Sequence, residues 1–280
     1  MDIISGIRDM QHWSEERRVE RKKIAFVPTM GFLHEGHLSL VHEGKRRGEV
    51  VVVSIFVNPI QFNQQADFDK YPKNFEQDRQ FLEAAGTDAL FCPDASEMYP
   101  DGFQTGVEVE QVSQPLCGAF RPGHFRGVAT VVAKLFNIVK PHVALFGEKD
   151  YQQCAVIQRM VKDLSFDLEI LPMPTVREAD GLAMSSRNAR LSPAERQTSL
   201  CISRALNTAA DMVTRGERSA DAILRSVRDI LDHQGGVRVE YASLCHPESL
   251  AEITEVSGPT LLAIAAWVGE VRLIDNRVIG

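Results

Sequence analysis

Two apolar runs, Ile24-Ala25-Phe26-Val27 and Val50-Val51-Val52-Val53-Ser54-Ile55-Phe56-Val57, bracket a segment of helical periodicity, and that order limits the folds open to the chain. Continuous apolar runs of this length suit strands buried on both faces, as in a parallel sheet. Strand, helix and strand joined by a right-handed crossover make a βαβ unit, whose ligands bind beyond the carboxyl ends of the strands. The alternation goes on. A helix over 75–85, capped by Asn74 and stopped by Gly86, precedes a strand over 89–92. Helices over 128–139 and 151–164 then flank a strand over 143–146, and another strand spans 170–176. Ile3, Ile7, Met10 and Trp13 are spaced for one amphipathic helix over 3–19, and Val107-Glu108-Val109-Glu110 alternates as an edge strand does. After Asn188 the pattern changes to two helices, 193–215 and 220–233, followed by strands over 237–244 and 261–268. Helices followed by strands predict a separate α+β domain.

Between the first two strands lies Pro28-Thr29-Met30-Gly31-Phe32-Leu33-His34-Glu35-Gly36-His37, a loop running into a helix start. Unpaired N–H groups and the positive end of the helix dipole favour phosphate at such a place, and both histidines fall there. A zincin site needs two histidines four apart on one helix face, and His34 and His37 are three apart with no third ligand nearby. A helix start that happens to contain two histidines would be the simpler reading if the stretch stood alone. Gly147-Glu148-Lys149-Asp150 repeats the arrangement, with a strand before it and a helix after it. The two loops therefore suit one phosphate-binding crevice.

The chain's 280 residues, 44% of them hydrophobic, can bury a full core and suggest one large domain and a smaller one. No stretch is long and apolar enough for a membrane span, and the first residues lack the features of a secretory signal, so a cytoplasmic protein with no membrane partner is expected. Cys92, Cys117, Cys154, Cys201 and Cys245 are widely spaced and form no Cys-x-x-Cys pair, so they read as reduced packing residues. A net charge of -7 argues against a nucleic-acid partner, which would call for a basic surface.

His34-Glu35-Gly36-His37 resembles the His-x-Gly-His signature of the adenylyl-transferring superfamily that includes class I aminoacyl-tRNA synthetases and small nucleotidyltransferases. The longer block Pro28–His37 resembles the pantothenate synthetase family. Three further blocks match that family in order: Phe56–Phe62, Phe146–Gln153 and Asp180–Asn188. The resemblance spans nearly the whole chain. It implies a Rossmann-like parallel-sheet α/β domain over 1–177 that binds ATP and pantoate, with a smaller α+β domain over 178–280 closing over the ATP site. It also implies a homodimer. The activity implied is ATP-dependent condensation of (R)-pantoate with β-alanine through a pantoyl adenylate, releasing AMP and pyrophosphate. The alternative from the same superfamily is a nucleotidyltransferase acting on a phosphorylated acceptor.

An adenylating enzyme must position two anions and neutralise charge as pyrophosphate leaves. The resemblance assigns ATP contacts to Met30, Gly31, Phe32, Leu33, His34, Glu35, Gly36, His37, Gly147, Glu148, Lys149, Asp150, Val176, Met184, Ser185, Ser186 and Arg187. Of these, His34, His37, Lys149 and Arg187 form the expected catalytic set, with His37 as proton donor to the departing group. Lysine supplies a point charge and arginine a planar fork for two phosphate oxygens. Asp150 could instead cap the following helix, and Gly181 permits movement of the Ser185-Ser186-Arg187 loop. Gln61 and Gln153, neutral amides able to donate and accept, are the expected pantoate pair, and Gln61 also serves β-alanine. Asn58, Arg121 and His124 are further candidates for β-alanine or phosphate. Mg²⁺ is expected with ATP, and Asp78 is its one candidate protein ligand. The chain departs from the family pattern at Cys117, where an acid is frequent, and at Gln77, where some members place an acid beside the next one.

Overall fold

The structure is a computed structural model that describes residues 1–63 and 65–280, with the backbone alone described for Gln65 and Ala66. In chain order the elements are β1 (Asp2–Ile4), α1 (Ile7–Val19), β2 (Ile24–Thr29), α2 (Glu35–Arg47), β3 (Val50–Ile55), α3 (Gln65–Asp69), α4 (Phe75–Ala84), β4 (Ala89–Phe91) and α5 (Ala95–Met98). There follow α6 (Cys117–Phe120), α7 (His124–Val139), β5 (Val143–Gly147), α8 (Tyr151–Asp163), β6 (Glu169–Met173), α9 (Pro193–Thr214), α10 (Ala220–Asp232), β7 (Val237–Cys245), β8 (Thr260–Val268) and β9 (Val271–Ile279). The chain forms two compact units. The first comprises Met1–Glu110, Arg121–Glu148 and Gln153–Pro174, and the second Gln111–Phe120, Lys149–Gln152 and Thr175–Gly280.

In the first unit six strands pair in parallel in the order β1-β4-β3-β2-β5-β6. Alternate residues of β2 explain why both faces are covered. Ala25 and Val27 pack with Leu40 and Val41 of α2 and Leu82 of α4, all buried. Phe26 points the other way and meets Phe136 of α7 edge to face at 6.5 Å between ring centres. The strand order reverses direction between β2 and β5, which are paired at Ala25–Val143 and Phe26–Ala144. In open α/β sheets such a switch point is where ligands bind, beyond the carboxyl ends of the strands. The chain leaves β2 there into Met30–His34 and leaves β5 into Glu148.

The second unit contains the antiparallel sheet β7-β8-β9. Central strand β8 is almost wholly buried, and Ile223, Val227 and Leu231 of α10, four residues apart on one helix face, have no exposed surface. Besides residues 175–177 at the boundary, two segments expected in the first domain belong to this unit. Gln152 explains one of them, because its amide holds three backbone groups of 112–117: it donates to Val112 O at 3.0 Å and Pro115 O at 2.7 Å and accepts from Cys117 N at 3.0 Å. The other, Lys149–Gln152, is tied by Asn276 Nδ2, which donates to Lys149 O at 3.0 Å.

Several expected elements differ. Residues 3–19 do not form one helix: Asp2–Ile4 pairs with Ala89–Phe91 as an edge strand, and Ile3, spaced for the helix face, is 50% exposed. Val107–Glu110 is not a strand, and the alternation there has no partner edge. α7 starts at His124, four residues early, since Gly123 with φ of 80° supplies the left-handed turn before it. β9 has no counterpart among the expected elements, because Arg272, Asn276 and Arg277, together with a charge at buried Asp275, mask the alternation of buried Val271 and Leu273.

Ile264 is fully buried at the centre of β8, whereas Val278 on β9 is 47% exposed. Ile264→Ala should lower unfolding free energy by about 2–5 kcal/mol, and Val278→Ala should change it by less than roughly 0.5 kcal/mol. Urea titration of both variants checks this; equal losses would mean that β8 is not the core strand.

Candidate active site

The loop after β2 must turn sharply before α2 can begin. Gly31 (φ 82°) and Phe32 (φ 52°) both adopt left-handed backbone, and a Cβ at Gly31 would lie 3.0 Å from Asp78 Oδ2. For Phe32 that conformation is strained and persists only where its surroundings fix it. Asp78 fixes it. From the first turn of α4, its two carboxylate oxygens accept the backbone N–H groups of Phe32 and Leu33, each at 2.7 Å. Asp78 is 2% exposed, and burial pushes its carboxyl above the usual aspartate range. Thr29 anchors the loop's near end, with Oγ1 donating to Ser54 O at 2.7 Å and accepting Gly31 N–H at 3.2 Å.

His34 then stands at the N-cap of α2 and His37 at its third residue. Their rings lie 4.1 Å apart at 37°. The backbone N–H of His34 donates to His37 Nδ1 at 3.3 Å. An imidazole nitrogen that accepts an N–H carries no proton itself, so neutral His37 bears its proton on Nε2.

Gln61 closes the short 3₁₀ turn Pro59–Gln61 that follows β3, and it is 8% exposed. Its Nε2 donates to Met30 Sδ at 3.1 Å, which brings this expected pantoate residue against the expected nucleotide loop. The turn is held from several sides. Asn58 Nδ2 donates to Gln61 Oε1 at 3.0 Å and to Gly127 O at 3.1 Å, and Tyr99 Oη donates to Asn58 Oδ1 at 2.7 Å. His124 Nδ1 and Arg121 Nη2 meet the Gln61 carbonyl at 2.8 and 3.3 Å. Asn58, Arg121 and His124 are thus all in contact with Gln61. Gln153 is half-buried in the first turn of α8.

Gly147 and Glu148 end the first unit's segment, and the expected ATP residues from Lys149 onward belong to the second unit. Lys149 and Asp150 lie in the 3₁₀ turn Glu148–Asp150, 3.8 Å apart as an ion pair. Ser185 caps a second 3₁₀ turn, Ser186–Arg190, by accepting Arg187 N–H at 3.2 Å. Met184 N–H donates to Val176 O at 3.0 Å. Gly181 sits in a turn (φ 92°) strapped by Arg177, which donates to both oxygens of buried Asp275 at 2.7 and 2.9 Å, and by Arg196, 2.6 Å from both Glu178 and Asp180.

Sequence reasoning missed Tyr99 and Gly127, which fall in stretches that read as turn and loop, and Gln152, which its neighbour Gln153 overshadows. A Tyr-Pro-Asp-Gly run offers no sign that the tyrosine turns inward. For magnesium the residues present do not make a cage. Among the described residues no three His, Cys, Asp or Glu side chains cluster, and both Asp78 oxygens are taken by backbone.

A parallel sheet whose switch-point loop opens a helix on His-x-Gly-His defines an α/β nucleotide-binding protein of the adenylyl-transferring kind. Within that class, the pantoate-beta-alanine ligase family matches residues 2–278, and the chain belongs to that family. It is 54% identical over 280 residues to pantothenate synthetase of Pelobacter propionicus, covering all of this chain and 99% of the relative. It is 55% identical to that of Geobacter sulfurreducens with the same coverage. Among solved structures, pantothenate synthetase from Thermus thermophilus superposes with a TM-score of 0.94 at 44% identity, covering 99% of each chain. Pantoate-beta-alanine ligase from Francisella tularensis, complexed with beta-gamma ATP and beta-alanine, gives 0.82 at 34% identity, covering 99% of this chain and 97% of that one.

The Asp78 brace carries a pH signature. With its folded pKa raised, the unfolded chain releases the proton first as pH rises, so stability falls across the window just above the ordinary aspartate value. Asp78→Asn lacks that component and also turns an N–H donor toward a backbone N–H, costing about 1–3 kcal/mol. The gap in urea stability between wild type and Asp78→Asn should therefore narrow as pH rises through that window. A widening gap would show Asp78 to be stabilised as the anion.

Proposed function

We infer that this chain catalyses ATP-dependent condensation of pantoate with β-alanine, and the observation that carries the reading is the contact between Gln61 and Met30. An amide suited to an organic acid stands against the loop suited to a nucleotide, which is what an enzyme that adenylates an acid requires. The pantoate carboxylate attacks the α-phosphorus of ATP and pyrophosphate departs. The β-alanine amine then attacks the acyl carbon of pantoyl adenylate, loses a proton, and AMP leaves.

Within that scheme His37 presents Nε2–H to the phosphates and gives a proton or hydrogen bond to the departing pyrophosphate. His34, Lys149 and Arg187 bind phosphate oxygens, and Ser185, Ser186 and the backbone of Gly31–Gly36, Gly147 and Met184 line the nucleotide. Gln61 and Gln153 hold pantoate, and Gln61 also meets β-alanine. Mg²⁺ bound to the triphosphate would offset phosphate charge and would need few protein carboxylates. Asp78 is a loop brace in this reading. The domain over 178–280 closes on ATP. The enzyme works as a cytoplasmic homodimer, and five free cysteines suit a reducing compartment. Light scattering giving the 31.2 kDa monomer mass would remove the dimer.

Pantoate-dependent exchange of labelled pyrophosphate into ATP tests the function, and exchange that needs a phosphorylated acceptor instead would overturn it. His37→Ala should lower single-turnover adenylation by about a hundredfold or more with much less loss of ATP binding. A normal adenylation rate in that variant would leave His37 a spectator. Gln153→Ala should raise the pantoate KM while leaving the ATP KM nearly unchanged, and steady-state kinetics with each substrate varied would reveal equal weakening if the helix start were simply disturbed.

A further inference from the structure

We propose that Tyr99 is a positioning residue for the acid substrate, acting through Asn58 to fix which end of the Gln61 amide faces the ligand. The inference rests on Gln61 as the pantoate contact.

The direction of each bond follows from one group that cannot change roles. The Gly127 carbonyl only accepts, so the Asn58 atom 3.1 Å from it is the NH₂ nitrogen. That nitrogen also lies 3.0 Å from Gln61, so the atom facing it there is the oxygen Oε1. Asn58 Oδ1 is left for Tyr99, whose hydroxyl donates at 2.7 Å. Burial pushes the phenol above its usual range and keeps the donor proton in place. Gln61 is thereby committed. Its Oε1 is occupied by Asn58, and its Nε2 has one hydrogen on Met30 Sδ and a second to offer. The free N–H of the amide therefore reads a hydrogen-bond acceptor, such as the oxygen of a carboxylate or hydroxyl group.

Gly127 makes the chain of bonds possible. A Cβ there would lie 2.5 Å from Ile60 O and 2.8 Å from Gln61 N, so only glycine lets the first turn of α7 approach the Pro59–Gln61 turn. Asn58 is 1% exposed, so water cannot take over its Oδ1 if Tyr99 is lost. Without that bond the Asn58 carboxamide has less reason to hold its orientation, and Gln61 can turn its oxygen outward. Tyr99 packs against Phe56 and Phe103 at 6.1 and 5.0 Å between ring centres, which fixes the ring without using the hydroxyl.

The test is a double-mutant cycle on pantoate and ATP kinetics with Tyr99→Phe, Gln61→Ala and the pair. Tyr99→Phe keeps the ring packing. It should raise the pantoate KM about five- to tenfold, the effect of one hydrogen bond, with the ATP KM changed less than about twofold. In the Gln61→Ala background the same substitution should have almost no further effect on pantoate. An equal factor in both backgrounds, or a pantoate KM unchanged in folded Tyr99→Phe, would overturn the proposal. Gln61→Glu separates it from the reading beneath it, since the introduced carboxylate still accepts from Asn58 but offers the substrate an anionic oxygen. Pantoate KM should rise by about a hundredfold or more there, because two anions are brought into contact in a buried site. If Gln61→Glu leaves pantoate KM unchanged, Gln61 is not the acid contact and the relay falls with it. If Gln61→Glu is impaired while Tyr99→Phe is normal, only the relay is wrong.

Discussion

The loop between β2 and α2 depends on a single buried carboxylate. After β2 the chain must reverse within a few residues to begin α2 on His34, and it does so through left-handed Gly31 and Phe32. Phenylalanine adopts that conformation at a cost, and Asp78 meets it with two short bonds to consecutive N–H groups. Because Asp78 rides on α4, and Leu82 one turn later is packed into the sheet core, the loop is referenced to the sheet and not merely to its own neighbours. The pairing of His34 N–H with His37 Nδ1 then sets the histidine tautomer. Each step narrows the freedom of the next, from strand to loop to ring nitrogen.

The same logic operates at the Gln61 turn, though with neutral groups. A glycine on α7 permits close approach, a carbonyl that can only accept fixes an asparagine, and the asparagine fixes a glutamine. Amide side chains are useful here because they carry no charge to desolvate yet have two chemically distinct ends. Such a site gains selectivity from what it refuses as well as from what it binds, since a wrongly matched group leaves a buried polar atom unpaired.

Much of the fold was legible because its signals are local. The apolar runs at Ile24–Val27, Val50–Val57 and Val143–Phe146 and the Asn74 cap announce strands and a helix start from adjacent residues alone, and Asn74 Oδ1 does accept Gln77 N–H at 3.3 Å. Asp2–Ile4 escaped notice because three residues at an edge carry no periodicity, and their partner β4 lies 87 positions away in register. The histidine block, Lys149 and Ser185–Arg187 stood out through motif. Asp78 stood out too, but as a metal candidate by family resemblance, since an acid looks the same on paper whether it faces an ion or two peptide N–H groups. Tyr99, Gly127 and Gln152 left no trace in sequence, for their roles are defined by backbone carbonyls and amides that any residue could supply. Only the fold says which carbonyl is within reach.

The central claim is that the acid is activated by transfer of AMP to its carboxylate at the His34–His37 loop. Pantoate labelled with ¹⁸O in the carboxylate tests it most directly. Adenylation puts one labelled oxygen between the acyl carbon and phosphorus, and attack by the amine leaves that oxygen on AMP. Mass spectrometry of the products should find one ¹⁸O in AMP and none in pyrophosphate. Label in inorganic phosphate or pyrophosphate, with AMP unlabelled, would mean an acyl phosphate route and contradict the account.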